Sequence, residues 1–263
     1  MRNTDLTIVH ASTPVMPQTA LIAWTGATPS DVIRAQEKHA QNVLDDAARL
    51  ADEMAGGVLV RTMTLVGAPV TALIELSARA ELMVTGRRGM SSLPRVFLGS
   101  VSTALVHHGQ CDVAVIHDEF SIEAGREYPV VLGIDGSPAS ERATAIAFNE
   151  SSWRGVELVV IHAAYDSDPF GIHELEWAVA KPKAMEVLAE RLAGWQERYP
   201  DVPVRRVLAF DRPARHLIEA GETAQLVVVG SRGHGEIAGR LLGSVSGAVV
   251  QATRAPVIVG RPA

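Results

Sequence analysis

Short apolar runs alternate along this chain with longer stretches in which apolar positions recur every three or four residues. The short runs are too brief for helices and rich in β-branched residues, so they read as buried strands. The longer stretches read as amphipathic helices. In the first half, strands fall at Asp5–His10 (DLTIVH), Val58–Leu65, Leu82–Thr85 and Asp112–Ile116. The pattern predicts a helix from about Asp31 to Met54, capped by Ser30 and stopped by Gly56-Gly57, a short helix from Pro69, and a helix over Ser100–His108. Residues 11–29 read as a polar, Pro-containing loop. In the second half, strands fall at Val130–Ile134, Glu157–His162 (ELVVIH), Val202–Ala209, Leu226–Val229 and Pro256–Val259. A helix runs from Pro138 to about Trp153, with Ser137 as N-cap and Glu141 as the capping-box partner. A long helix reaches about Tyr199, a short one starts at Pro213, and a last one begins after Ser244. Alternation of this kind implies right-handed crossovers and parallel sheets, hence an α/β fold. The polar stretch from His117 to Tyr128 reads as a linker, which divides the chain into domains at 1–120 and 126–263.

The halves repeat with an offset of 144 residues, which carries Pro69 onto Pro213 and Gly99 onto Gly243. What repeats most closely is a glycine-rich loop between strand and helix. Gly230, Ser231, Arg232 and Gly233 follow strand Leu226–Val229, and Gly243-Ser244 come after nine intervening residues. Gly86, Arg87, Arg88 and Gly89 follow Leu82–Thr85, with Gly99-Ser100 at the same spacing. Glycine at a strand end lets main chain approach a ligand closely. A helix that starts at Ser244 aims open N–H groups and its positive end into the same space, which suits a phosphate. Ser244 can also cap that helix with its hydroxyl. The loop lacks the Lys of a P-loop and the spacing of a G-x-G-x-x-G fingerprint. The alternative is a loop that only turns the chain.

The repeat is incomplete. Residues 130–156 precede the ELVVIH strand, whereas only Met1 to Thr4 precede DLTIVH. The first half therefore has no counterpart of strand Val130–Ile134, of Asp135, or of the helix that follows. A start assigned at an internal methionine, or truncation, is preferred to a naturally degenerate end.

Composition narrows the class of function. The net charge of −6 is spread over both signs, unlike a basic nucleic-acid binder. A single cysteine, Cys111, excludes an intrachain disulfide and a Cys-rich metal site and fits a reducing, cytoplasmic setting. No apolar run is long enough for a transmembrane helix, and Met1–Ser12 carries no secretory pattern. The histidines show no ligand spacing. His10 and His162 end equivalent strands and read as fold-related, His107-His108 lie near a helix end, and Cys111 reads as a buried thiol.

With these residues in view, the chain resembles the universal stress protein family in its tandem two-domain form. The resemblance rests on G-x2-G-x9-G-[S/T], present twice, and on Gly133-Ile134-Asp135-Gly136-Ser137. It implies two doubly wound parallel sheets of order 3-2-1-4-5, the first lacking its opening strand–helix unit, with ATP at the carboxyl ends of the strands where the order reverses. It also implies roles in the second half. Gly133, Ile134, Asp135 and the main chain near Ala163 would hold adenine and ribose, with Asp166 a weaker candidate on the ribose side. Gly230, Ser231, Arg232, Gly233, His234 and Gly235 would wrap ribose and α-phosphate. Gly243, Ser244, Val245 and Ser246 would give N–H and hydroxyl groups to the outer phosphates. The first half keeps Gly86, Arg88, Gly89, Gly99, Ser100 and Val101 but no equivalent of Asp135, so its site is expected to bind nucleotide poorly or not at all. Asp166 and Asp168 could hold Mg²⁺ beside the phosphates, though a solvated acidic loop is preferred.

The function implied is an ATP-binding regulator of stress or dormancy physiology, with slow hydrolysis at most because no general base is evident. Two alternatives stay open: an association scaffold that has lost nucleotide binding, and an ATP-using α/β hydrolase. ATP is the expected partner, with no nucleic acid or membrane. The last strands, Asp112–Ile116 and Pro256–Val259, are expected to pair within the chain as a pseudo-dimer, and a homodimer is possible in addition.

Overall fold

The computed structural model describes residues 4–13, 28–87, 98–117, 125–163, 174–209, 212–233 and 242–262. It divides into two compact units, Met1–Leu76 and Ser77–Ala263.

The first unit contains β1 (Leu6–Ser12), α1 (Pro29–Met54), β2 (Val60–Val66) and most of α2 (Pro69–Ser77). β1 and β2 are parallel, in register from Leu6 opposite Val60 to Ser12 opposite Val66. The α1 cap is Thr28, not Ser30. Pro29 takes the first helical position, and Thr28 and Asp31 exchange reciprocal bonds: the Asp31 amide donates to Thr28 Oγ1 and the Thr28 amide to Asp31 Oδ2. The Thr28 side-chain and backbone bonds hold the Asp31 carboxyl below its ordinary pKa. Burial in this unit is thin. Ala40 and Leu44 are the buried residues of α1, whereas Leu6, Leu50, Met54, Leu59 and Val66 are exposed.

The second unit is built on β3 (Leu82–Gly86), α3 (Ser100–His108), β4 (Asp112–Ile116), β5 (Val130–Ile134), α4 (Pro138–Arg154), β6 (Leu158–Ala163), α5 (Glu174–Arg198), β7 (Val204–Ala209), α6 (Pro213–Gly221), β8 (Leu226–Gly230), α7 (Ser244–Ala252) and β9 (Val257–Gly260). Seven strands form one sheet in the order β3-β4-β9-β8-β5-β6-β7. In the numbering of the second repeat alone, its five strands run 3-2-1-4-5. All neighbours are parallel except β4 and β9, which pair antiparallel through Val113–Val259, Ala114–Ile258 and Val115–Val257. That pair joins the two repeats inside one sheet.

The core explains why β5 and β8 read as unbroken apolar runs, because strands covered on both faces have no solvent side. Val130, Leu132, Leu158, Val160 and Val228 are fully buried. Phe148 of α4 stacks on Trp195 of α5 at 5.8 Å and meets Tyr199 at 5.6 Å between ring centres. The Tyr199 hydroxyl donates to Asn149 Oδ1 at 2.6 Å, so the polar tip of the cluster is satisfied.

Several ends differ from the sequence pattern. β7 starts at Val204 because the Val202 amide is held in a turn by the Tyr199 carbonyl. β8 extends through Gly230, which pairs with Gly260. Ser137 caps α4 as expected, but the residue at the capping-box position is Ser140. Its amide donates to Ser137 Oγ, and Glu141 stands one place too late. The cap of α7 is Gly243 and makes no side-chain cap bond; Ser244 is already the first helical residue.

The first repeat is shared between the units: β1 and β2 form a two-stranded sheet, while β3 and β4 belong to the large one. In the second repeat β5 lies between the corresponding pairs, β6–β7 and β8–β9. Among the described residues no helix is long and apolar enough to cross a membrane.

Candidate functional site

A cavity of about 320 Å³ opens at the carboxyl ends of β5, β6 and β8. Its walls come from five places: Gly133, Ile134 and Asp135 at the end of β5, Ile161 and His162 of β6, Pro213 and Leu217 of α6, Val229, Gly230, Arg232 and Gly233 after β8, and Gly243 to Ser246 at the start of α7. Ser140 of α4 also reaches it. The volume is in the range of small-molecule sites, roughly 300–1,000 Å³. β5 and β8 leave their shared edge to opposite sides, which is the switch point where an open parallel sheet leaves a crevice.

The β5 end is fixed by a small polar network. Asp135 Oδ1 accepts the Ser137 amide at 2.9 Å, Ser137 Oγ donates to the Arg232 carbonyl at 3.2 Å, and the Gly136 amide donates to Ser140 Oγ at 3.0 Å. These bonds tie the turn after β5 to the glycine loop after β8. Asp135 Oδ2 lies over Gly233, where a Cβ would collide with it. Gly136 has φ +87°, a left-handed conformation that suits glycine in this tight turn. His162 Nδ1 donates to the Ile134 carbonyl at 2.8 Å, which sets the ring against the wall; the acceptor is a carbonyl, so that nitrogen carries the proton.

The glycine loop closes on itself through main chain. The Ser231 amide donates to Gly260 O at 2.8 Å, and the Gly243 amide to Ser231 O at 2.9 Å. α7 opens with the bond from the Gly247 amide to Gly243 O, so the amides of Ser244, Val245 and Ser246 are the donors that a helix start leaves over. Their residues line the cavity, where the positive end of the helix favours an anion.

Two expected donors are already used within the protein. The Gly243 amide is held by Ser231 O, and Ser246 Oγ donates to the Gly230 carbonyl at 2.5 Å from a buried position. Both bonds shape the loop. The donors left at the mouth of the helix are three amides and the exposed Ser244 hydroxyl.

The glycines differ in purpose. A Cβ on Gly230 would stand 2.8 Å from the Ala139 carbonyl carbon, so this glycine lets the start of α4 pack on β8. A Cβ on Gly133 would stand 2.8 Å from Leu217, so that one seats α6. Gly243 has φ −63°, and the nearest atom of the described residues to a Cβ there would be Arg232 Cα at 3.6 Å. Among the described residues nothing in the packing demands glycine at 243.

The remaining expected residues are distributed as follows. Ala163 ends β6, with its backbone paired to Ala209. Asp166, His234 and Gly235 lie outside the described residues, as do Arg88, Gly89 and Asp168. Gly86, Gly99, Ser100 and Val101 form a first-repeat loop that matches the second bond for bond. The Arg87 amide donates to Ile116 O, the Gly99 amide to Arg87 O, and Ser102 Oγ to Gly86 O. Gly99 caps α3 at φ −65°, against −63° for Gly243. In the second repeat β5 and α4 supply a wall of the cavity, and Gly86 is exposed where Gly230 is buried.

Sequence reasoning passed over Ile161, His162, Pro213, Leu217 and Val229 as cavity walls. The likeness of strands DLTIVH and ELVVIH, which sets His10 against His162, marked a strand end, but only the fold turns that end toward the glycine loop. Among the described residues no group of three or more His, Cys, Asp or Glu side chains converges on a possible metal position.

Comparison with known proteins follows the repeat. The sequence profile described as the universal stress protein family matches residues 1–117 and again 128–261. A universal stress protein of Mycobacterium tuberculosis (strain H37Rv) is 46% identical over 271 residues, covering 99% of this chain and 88% of that protein. One from Mycolicibacterium smegmatis is 41% identical over 266 residues, covering 100% and 89%. Among solved structures, a universal stress protein from Archaeoglobus fulgidus superposes with a TM-score of 0.72 at 21% identity, over 98% of this chain and 88% of that one. A protein described as a putative universal stress protein from Pseudomonas aeruginosa superposes at 0.59 and 16% identity, over 99% and 94%.

Proposed function

The chain belongs to the universal stress protein family, and from that premise we propose that its second repeat binds ATP in the cavity between β5, β6, β8 and α7. The observation that carries this reading is the start of α7. Three leftover amides belong to residues that line the cavity, beside a glycine, Gly243, that packing among the described residues does not require. A phosphate chain fits both facts, since it takes N–H donors and needs close approach to main chain. Across the cavity, the Asp135 carboxylate suits ribose hydroxyls, and Ile134, Ile161, Val229 and Leu217 offer an apolar surface to a base.

The residues fit a nucleotide better than a hydrolytic centre. The donors at the start of α7 are main-chain amides and a hydroxyl, so slow hydrolysis at most is expected and occupancy itself is the signal. Any Mg²⁺ would be held mainly by the phosphates. The chain then acts as a cytoplasmic regulator in stress or dormancy physiology, with ATP changing which surfaces it offers to partners or to a second copy. The association-scaffold reading is favoured only for the first repeat, where Gly86 is exposed in the place of the buried Gly230.

Calorimetric titration of the full chain tests this. One ATP per chain is expected, weakened about tenfold or more by Asp135→Ala, in keeping with the roughly 1.5–3 kcal/mol of a hydrogen bond to a charged group. No binding of ATP, ADP or AMP by the wild-type chain would remove the reading. Two equivalent sites would remove the assignment to the second repeat.

A further inference from the structure

The far ends of the two glycine-loop helices are held crosswise. The last carbonyls of an α-helix have no partner within it. Those of α7 are met from the first repeat: His117 Nε2 donates to Val250 O at 3.1 Å, and Arg87 Nη2 donates to Gln251 O at 2.8 Å. Those of α3 are met from the second repeat, where Arg261 Nη2 donates to Val106 O and, at 3.4 Å, to Leu105 O. The offset of 144 residues equates His117 with Arg261 and Val106 with Val250. The residue that follows the last strand of each repeat thus holds the same carbonyl of the other repeat's helix.

Arg87 departs from this symmetry, because its equivalent is Ser231, whose short side chain cannot reach across. Its main chain is part of the first glycine loop, bonded through N–H to Ile116 O and through C=O to the Gly99 amide. Its guanidinium is bonded to the second repeat's helix. We propose that Arg87 is a positioning residue for the nucleotide site: it anchors the C-terminal end of α7 and so sets where the Ser244–Ser246 amides stand. This rests on the reading that those amides receive the phosphates.

The physical basis is the shortness and stiffness of α7. Nine residues make a rod of about 13 Å, so a tilt or fray at Gln251 is felt at Ser244. A cation at the C-terminal end is favoured by the helix dipole, and it supplies a donor to a carbonyl that would otherwise need water. His117 is 2% exposed and secures the neighbouring carbonyl, so Arg87 adds a second fixed point to the last turn. A ligand or partner that shifted the first loop would move Arg87 and, through it, the second site.

The test uses the full chain and two readouts. In ATP titrations, Arg87→Ala is expected to weaken binding about fivefold or more, the lower range of ordinary coupling between sites. Arg87→Lys, which keeps a cationic donor, stays within about twofold of wild type. Phe148→Leu, a core change far from the cap, lowers thermal stability and leaves affinity unchanged. In amide exchange without nucleotide, Arg87→Ala speeds exchange across Ala248–Ala252. Affinity within twofold of wild type together with unchanged exchange would overturn the proposal. If Arg87→Ala does not fold, Arg87→Gln against Arg87→Lys carries the same comparison. A wild-type chain that binds no ATP defeats the function reading, while the exchange result still decides whether Arg87 holds the helix.

Discussion

Val84 and Val228 hold the same place in the two repeats, yet Val84 is 61% exposed and Val228 is completely buried. Val228 lies in β8 opposite Leu132 of β5, inside the sheet. Val84 lies in β3, whose one partner among the described strands is β4. Truncation should therefore separate them. Val228→Ala is expected to cost roughly 2 kcal/mol, from lost burial plus a cavity. Val84→Ala should stay within about 0.5 kcal/mol. Urea unfolding of the two variants compares them, and equal losses would mean that something covers β3 in solution.

Gly230 and Gly243 should also part company. An alanine methyl at 230 meets the Ala139 backbone, which cannot move away without shifting α4. Gly230→Ala is expected to lower the melting temperature by several degrees, for a cost of about 1–3 kcal/mol. Gly243→Ala has room and an ordinary φ, so it should melt with the wild type while binding ATP at least about tenfold more weakly. Normal ATP affinity in well-folded Gly243→Ala would show that no phosphate approaches that position.

Asp112 is a buried carboxylate held from two sides. Arg142 Nη2 donates to Oδ2 at 2.6 Å, and the Arg261 amide donates to Oδ1 at 2.9 Å. Its carboxylate holds the Arg142 guanidinium above its ordinary pKa. Arg142→Met strands the carboxylate and should cost about 3 kcal/mol, the lower end for a broken buried pair because Arg142 is half exposed. Adding Asp112→Asn keeps an acceptor for the Arg261 amide and should recover part of that loss. A double variant less stable than Arg142→Met alone would contradict this account.

His107 gives the fold an acid sensitivity of definite sign. Burial, then His108 and Arg261, hold its pKa below the ordinary 6.5. The folded chain therefore takes up this proton less readily than the unfolded chain. The stability associated with neutral His107 is intact above about pH 6.5 and is lost as pH falls from there toward the lowered value. His107→Gln should reduce the drop in urea midpoint between pH 7.5 and pH 5.5. An unchanged drop would assign it to other groups.

Cys111 is expected to stay unreactive in the native chain. It is buried, and burial raises its thiol pKa, which suppresses the thiolate. A thiol reagent at pH 7.5 should label it only as fast as the surrounding unit opens. Rapid labelling of folded protein would show that the β4 start is accessible.

Much of the fold was legible because its signals are local. A strand covered on both faces reads as a β-branched run, as at Val130–Ile134 and Leu226–Val229, and both were located within a residue of their ends. α3 and β4 match their sequence bounds at both ends. Caps were harder, because several hydroxyls compete for one helix start. Ser30 gave way to Thr28, and Ser244 to Gly243. The glycine loop was legible as a loop, but not the use of each glycine. Gly230 serves the α4 backbone and Gly233 the Asp135 carboxylate, and neither neighbour is near them in the chain.

The amino-acid order alone determined the strand–helix alternation, the two glycine loops and their offset, and the place of Asp135 directly after the strand Val130–Ile134. Each follows from residue type and spacing over a few turns of chain. Only the tertiary structure decided which loop amides stay open, which are spent on Ser231 and Gly260, and that Arg87 and His117 grip the end of α7. Those outcomes depend on donors and acceptors separated by as many as 164 residues. Hydrogen-bond distance between such groups is set by how the sheet and helices pack, and no local pattern encodes it.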